Sequence, residues 1–564
     1  MVNVKNLFGM AVMATALVGC SSNDNLAPDG KDNAGKPGEA YASFTINLPT
    51  TSGTRADDPT PGTPSFDEGT AKEYEVKNGT ILIFDKDGKF VTSAQLGTMN
   101  PWTPVKTDGV TTAAITTVQL SGVSVGGNYQ ALVLLNNDVD ATTSKVTLPT
   151  TGETYADWSK DVLKVNAEKY ASTDGIFMAN APKYTGTTTE PTTLVKVNNI
   201  CASREEAQAK AATTVYVERG LAKVTMQDFT AGGYTVAEGT YKGDKVEIKK
   251  WQLDVTNKST FPIHQTGGLL KGFDAIWSTT RFFDGANTKF QRVYWGTDPN
   301  YSDATLQNLA ACKTAFTMID KDDIVGKTGN EHPQYCLENT FDLSNMMQGQ
   351  TTRVVFKAVY TPKALEGTTE KTFYKIGNNT AIWTKANLEK QIHTVAVTAM
   401  GITDATEQAK YVVKLDATDN NISGEAGQHL IKAENITYTG EAANSKVDPT
   451  VVNTINEKLG LSEAAGIATY LDGVTYYIAR IKHFNELTPW KAGKGYGTDN
   501  DKYLGRYGVL RNNWYDLSVT SISGLGYPDV PEVKPTIPDD ENEQYINVEV
   551  KILSWAKRSQ SIVL

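Results

Sequence analysis

Cysteine is scarce in this chain: 564 residues hold 4, at Cys20, Cys201, Cys312 and Cys336, with no CxxC spacing. That excludes a disulfide-dense scaffold and a thiolate zinc site. Histidine is nearly as rare. His264, His332, His393, His429 and His483 are scattered with no H-E-x-x-H, so a zinc enzyme has no support. No long Lys/Arg run exists and the formal charge is 54 − 64 = −10, so no nucleic-acid partner is expected. No apolar run reaches the roughly 20 residues that a membrane-spanning helix needs. What the chain does hold is globular composition, 40% hydrophobic and 21% charged, with length enough for more than one core. Its 25 Tyr, 17 Phe and 47 Gly, with many Thr, suit an extracellular β protein.

The amino terminus reads as an export signal. Lys5 precedes an apolar stretch from Leu7 to Val18, too short to span a bilayer. Leu17-Val18-Gly19-Cys20 then resembles a bacterial lipobox, in which the Cys20 thiol takes a diacylglycerol and cleavage makes Cys20 the first residue. The bland alternative is a plain signal peptide that happens to contain a cysteine. For Cys312 and Cys336 both a disulfide and two buried thiols remain open.

Residues 21–40 form a polar tether. In Tyr41-Ala-Ser-Phe-Thr-Ile-Asn-Leu48 the residues Phe44, Ile46 and Leu48 fall on one face, the period of a half-buried strand. A breaker-rich stretch from Pro49 to Pro64 follows, and it contains Arg55-Ala56 where a protease can reach the backbone. Many short strands come next, in two series divided near residue 213, the pattern of two β-sandwiches. Asp448 as N-cap and Pro449 at the first position predict a helix running to Leu459, an insertion. Pro528 to Asn542 is rich in proline and acid, which predicts a stiff, solvated linker. Beyond it, Ile546, Val548, Val550 and Ile552 alternate with Asn547, Glu549 and Lys551, and the chain continues past Trp555 to Leu564. A tethered strand needs a sheet to join.

Catalytic motifs fail one by one. Gly122-Val-Ser124-Val-Gly126 matches the G-x-S-x-G elbow, but a strand pattern follows it where a helix is required. Asp85-Lys-Asp87-Gly88 lacks the later ligands of a calcium loop and reads as a hairpin turn. Gly493-Lys-Gly495-Tyr-Gly497 has no flanking strand and helix to make a phosphate cradle. Trp102, Trp490 or Trp514 would serve as a sugar platform if exposed; a buried tryptophan in a β core is the commoner case. No catalytic, cofactor or metal residue is assigned, and the chain is not expected to be an enzyme.

Several blocks together resemble a known family. The lipobox at Cys20, the strand before Arg55-Ala56, Thr80-Ile-Leu-Ile-Phe84, Gly175-Ile-Phe-Met-Ala-Asn180, Val217-Glu-Arg-Gly-Leu-Ala-Lys-Val224 and Tyr335-Cys-Leu-Glu-Asn-Thr340 are similar to those of type V fimbrial shaft pilins of Bacteroidetes. Tyr507-Gly-Val-Leu-Arg-Asn-Asn-Trp-Tyr-Asp-Leu517, the acidic linker and the final strand with Trp555 resemble the Mfa-type major subunits in particular. The likeness is weakest between about residues 400 and 470.

The resemblance implies an all-β fold: two transthyretin-like β-sandwich domains with short helical insertions and a C-terminal donor strand. Laid on this chain, the segments are a signal peptide at 1–19, a lipidated propeptide with the first strand at 20–55, an N-terminal domain at 56–213, a C-terminal domain at 214–527, a linker at 528–544 and the donor strand at 545–564. It further implies a lipidated precursor at the outer membrane, cut after Arg55 by an arginine-specific surface protease. Loss of Phe44, Ile46 and Leu48 then empties a groove that Ile546, Val548, Val550, Ile552 and Trp555 of another copy fill. The product is a head-to-tail filament of this chain with anchor and tip accessory pilins, an extracellular fimbria supporting adhesion and biofilm formation. The alternatives are a surface-anchored glycan-binding lipoprotein that stays monomeric and a secreted β-rich hydrolase whose acids have no sequence motif.

Overall fold

The computed structural model describes residues 38–49, 69–97, 110–137, 144–171, 175–183, 191–266, 293, 295–415, 428–462, 465–483, 505–539 and 546–554. The fold is all-β and sandwich-like, in two halves.

The amino-terminal half is one sheet that supplies a core from both of its ends. Its main strands are β1 (Glu39–Pro49), β2 (Gly79–Asp85), β3 (Phe90–Gln95), β4 (Val110–Ser121), β5 (Tyr129–Leu135), β6 (Met178–Asn180) and β7 (Thr213–Arg219), in the order β3-β2-β5-β6-β7-β1-β4. The period-two pattern of β1 decides its placement: Ala40, Ala42, Phe44, Ile46 and Leu48 all enter the core, with Ile81 and Ile83 of β2, Val133 and Leu135 of β5, and Val215 and Val217 of β7. The β2–β3 connection is the expected hairpin. Asp85 Oδ1 accepts from the backbone N–H groups of Asp87 and Lys89 at 2.8 and 2.9 Å. The opposite faces of β2 and β5 present Leu82, Phe84, Leu132 and Leu134 to Trp158, Tyr170, Ile263 and Leu337, which joins this half to the next.

In the carboxyl-terminal half, a pair of sheets face each other. One runs Gln334–Cys336, then β8 (Ala222–Met226), β12 (Asn513–Ile522) and β13 (Ile546–Ser554); the other runs Tyr234–Thr235, β9 (Lys245–Asp254), β10 (Arg353–Thr361) and β11 (Val474–Arg480). Val224, Trp251, Phe356, Tyr477, Tyr515 and Leu517 fill the space between them. Between β10 and β11 lies an insertion with its own core, where Leu388, Ile392 and Ala396 of helix α2 (Lys385–Ala399) meet Ile455 of helix α3 (Pro449–Lys458). The expected helix is α3, capped by Asp448, whose Oδ1 accepts from Val451 N–H at 2.8 Å. Helix α2 was not expected from the sequence.

A buried ionic cluster ties the halves together. Lys223 Nζ lies 2.8 Å from Glu73 Oε1, the Tyr335 hydroxyl donates to the same carboxylate at 2.7 Å, and the Lys223 ammonium sits 3.6 Å from the centre of the Trp514 ring.

One sequence reading needs correction, and one that was left open is settled. The stretch from Pro528 is not a solvated linker over residues 528–539: Val533 is buried, Arg353 donates to the Pro531 carbonyl, and the Asp539 carboxylate meets Arg480 Nε at 2.9 Å and the Thr351 hydroxyl at 2.5 Å. Composition favoured solvent, but buried arginines supply partners for the acid and carbonyl groups. Cys201, Cys312 and Cys336 are buried free thiols, so no disulfide joins Cys312 to Cys336. Burial pushes the Cys312 thiol up to about 11 and that of Cys336 up to about 12.

Candidate functional site

β1 is an interior strand, paired along both edges. It runs antiparallel to β4, from Glu39 opposite Ser121 to Leu48 opposite Thr112, and parallel to β7, with Phe44 opposite Thr213 and Asn47 opposite Tyr216. Tyr41 also exchanges two 2.9 Å backbone hydrogen bonds with Cys201. Phe44 and Ile46 are wholly buried and Leu48 is 1% exposed, so these residues are keystones of the first core.

The other face of β1 is covered as well. Helix α1 (Arg204–Ala209), capped by Ser203, lies against it; the Ser43 hydroxyl donates to the Ala207 carbonyl at 2.8 Å and pairs with Thr117 Oγ1 at 2.8 Å. Ala207 lies in the last turn of α1, where carbonyls have no partner within the helix, so Ser43 satisfies one of them. The Arg204 guanidinium stands 5.8 Å from the Tyr41 ring centre and donates to the Thr117 carbonyl at 2.8 Å. Tyr41, Ser43, Arg204 and Ala207 were missed at the sequence level, because a period-two pattern assigns alternate residues to solvent.

The carboxyl-terminal strand is also placed, though not free. β13 pairs antiparallel with β12 of its own chain: Ile546 opposite Ile522, Val548 opposite Val519, Val550 opposite Leu517 and Ile552 opposite Tyr515. Val548 is half-buried against the second core. A tethered strand needs a sheet to join, and within this chain it lies along the edge of β12. Among the described residues β13 forms one backbone ladder, whereas β1 forms two. The remaining site residues, Cys20, Arg55, Ala56 and Trp555, lie outside the described residues, as do Trp102, Trp490 and the glycine loop at 493–497.

The rejected motifs can be located. Ser124 sits in an exposed turn between β4 and β5. Trp514 is buried, donating from Nε1 to Thr225 Oγ1 at 2.7 Å, and is no sugar platform. Near the slot, burial first and the Glu206 carboxylate second raise the Cys201 thiol above its ordinary value. Among the described residues no three His, Cys, Asp or Glu side chains gather as a metal site, and no helix is long and apolar enough to cross a membrane.

Residues 468–561 match the family model for the C-terminal region of the major fimbrial subunit protein type IV, fimbrillin. That stretch contains β11 of one sheet, and β12 and β13, which form the edge of the sheet facing it. Over this region the chain is similar to fimbrial subunit proteins. Solved structures to which the chain is also similar include the following. A candidate cell adhesion protein of Parabacteroides distasonis shares 10% identity at a TM-score of 0.36, over 92% of this chain and 98% of that one. A fimbrial assembly protein of the same organism shares 13% at 0.29, over 61% and 93%. The tip fimbrial protein Mfa3 of Porphyromonas gingivalis, truncated at its C-terminus, shares 10% at 0.30, over 92% and 100%. No curated protein matches the chain.

Proposed function

We propose that this chain is the repeating shaft subunit of a cell-surface fimbria, built by exchanging β1 for the β13 segment of another copy. It is exported as a lipoprotein on Cys20 and cut after Arg55 by an arginine-specific surface protease. The cut releases β1 from covalent linkage, so its effective concentration at the slot collapses. Neighbouring copies then extend a filament that ends in anchor and tip pilins and supports adhesion and biofilm growth. The chain's role is structural, without catalysis.

The observation that carries this reading is the contrast between the two strands. β1 lies between two strands of the first sheet, ahead of a candidate cutting site, whereas β13 has the same alternation and forms one backbone ladder among the described residues. Moving β13 from an edge into the slot exchanges one backbone ladder for two. Burying apolar residues at the places of Phe44, Ile46 and Leu48 contributes about 1.5 to 3 kcal/mol each, roughly 5 to 9 kcal/mol in all before ordering costs. Donor and acceptor surfaces differ, so growth is head-to-tail and does not close.

The experiment is amino-terminal sequencing of surface fimbriae together with truncation after Asn542. The mature terminus is expected at Ala56, and truncation is expected to abolish high-mass ladders on unboiled gels while monomers still fold. Ladders from truncated chains, or fibres made of uncut precursor, would refute it.

A further inference from the structure

We infer that the incoming tail occupies the slot in one register, with Tyr545 in the place of Tyr41 and Asn547 in the place of Ser43. The inference rests on the strand-exchange reading above and specifies which atoms select the partner, a second copy of this chain.

The first support is the sequence of the two strands. Glu39-Ala-Tyr41-Ala-Ser43-Phe-Thr-Ile-Asn-Leu48 and Glu543-Gln-Tyr545-Ile-Asn547-Val-Glu-Val-Lys-Ile552 share glutamate and tyrosine at one offset, since 543 − 39 and 545 − 41 both equal 504. Tyr545 is the one tyrosine in residues 540–564, so no other register matches it. At this offset Ile546, Val548, Val550 and Ile552 take the core positions of Ala42, Phe44, Ile46 and Leu48. The phenyl ring lost at Phe44 is offset by the larger side chain gained at Ala42, two residues away on the same face.

The second support is the covered outer face. When β1 leaves, the Ala207 carbonyl loses its side-chain donor, and the site beside Thr117 is buried. A replacement at Ser43 must be short and must donate. Asn547 does both. Sliding the tail by two residues one way puts the Glu549 carboxylate against that carbonyl, oxygen against oxygen. Sliding it the other way puts Tyr545 there, too long for a space filled by serine. A slide of four brings in Lys551 as donor but moves Ser554 and Ala556 onto the Ile46 and Leu48 positions, which leaves the core underfilled. In the remaining register Tyr545 lies beneath Arg204, as Tyr41 does.

The test is disulfide trapping in full-length, surface-processed protein, with four substitutions combined in two ways. In β4, Thr117 faces Ser43 and Gln119 faces Tyr41. The pairs Thr117→Cys with Asn547→Cys, and Gln119→Cys with Tyr545→Cys, are expected to give reducible covalent ladders after boiling. The crossed pairs, Thr117→Cys with Tyr545→Cys and Gln119→Cys with Asn547→Cys, are expected to give at least about ten-fold less, because opposed Cβ atoms must approach within roughly 4.5 Å. Stronger trapping in the crossed pairs, in fibres that assemble normally, overturns the register and leaves strand exchange standing. Absence of polymer from the parent chain overturns both. As a second measurement, Asn547→Ser is expected to assemble at the parental rate and Asn547→Asp at least about ten-fold more slowly; equal rates overturn the role given to the Ala207 carbonyl.

Discussion

Phe44→Ala separates the precursor from the fibre. The phenyl ring of Phe44 is wholly buried among Ile81, Val133 and other residues of the first core, and truncating such a ring costs about 3 to 5 kcal/mol. For a domain of this size each kcal/mol moves the melting temperature by about 2 to 4 °C, so the uncut variant is expected to melt roughly 6 to 20 °C below the parent. On the strand-exchange proposal β1 is gone from the mature fibre and Val548 stands in the place of Phe44, so fibres from the variant are expected to melt with parental fibres. Differential scanning calorimetry of uncut precursor and of purified fibres reads both quantities, with mass spectrometry confirming the cut. If variant fibres melt as far below parental fibres as variant precursor does below parental precursor, β1 remains in the mature subunit and the reasoning fails.

The complementary change, Val550→Asp, places a carboxylate where the slot is apolar. It is expected to leave precursor melting within about 1 °C of parent, since an edge strand carries little of the fold, and to lower the polymer yield on unboiled gels by at least about ten-fold. Glu73→Gln removes the carboxylate partner of Lys223, an ammonium only 1% exposed, and is expected to cost about 3 to 5 kcal/mol, read as a lower denaturant midpoint. Burial raises the Asp298 carboxyl to about 7, above its value in the unfolded chain. The folded state therefore holds this proton where the unfolded chain has lost it; the contribution is full below about pH 4 and is lost as pH rises through 7. Stability measured across that window in Asp298→Asn should lose this falling component, and an unchanged slope would refute the assignment.

Much of the scaffold is legible in residue order, because strands advertise themselves by local period. Phe44, Ile46 and Leu48 declare a buried face, Asp85 to Lys89 declares a turn, and Asp448-Pro449 declares a helix start; all three depend only on neighbours in sequence. The outer face of β1 is different. Ser43 looks solvated until α1, more than 150 residues later, brings the Ala207 carbonyl to it. Burial of Trp514 was the commoner expectation, but the Lys223 ammonium over its ring was not legible. Asp539 reads as part of a solvated tract, yet Arg480 and Thr351 bury it. In each case the deciding partner is remote in sequence, and no periodicity encodes it. The docking of β13 on β12 was illegible for another reason: an alternating apolar strand suits many edges, and sequence pattern does not rank them.

The anchoring of Asp539 sets the geometry that exchange requires. Asp539 is held by Arg480 and Thr351, so the length of chain available to the exchange is counted from that residue and not from Pro528. If Glu543 takes the place of Glu39, four residue steps separate the anchor from the slot, a reach of about 14 Å at full extension. Subunits in such a fibre must therefore abut, with the start of the acceptor slot held close to the donor's Asp539. A short, fixed tether keeps the tail's effective concentration high at an adjoining subunit and low everywhere else. Before assembly β13 pairs with β12 of its own chain, and on the exchange proposal it gives up that one ladder for the two of a vacated slot.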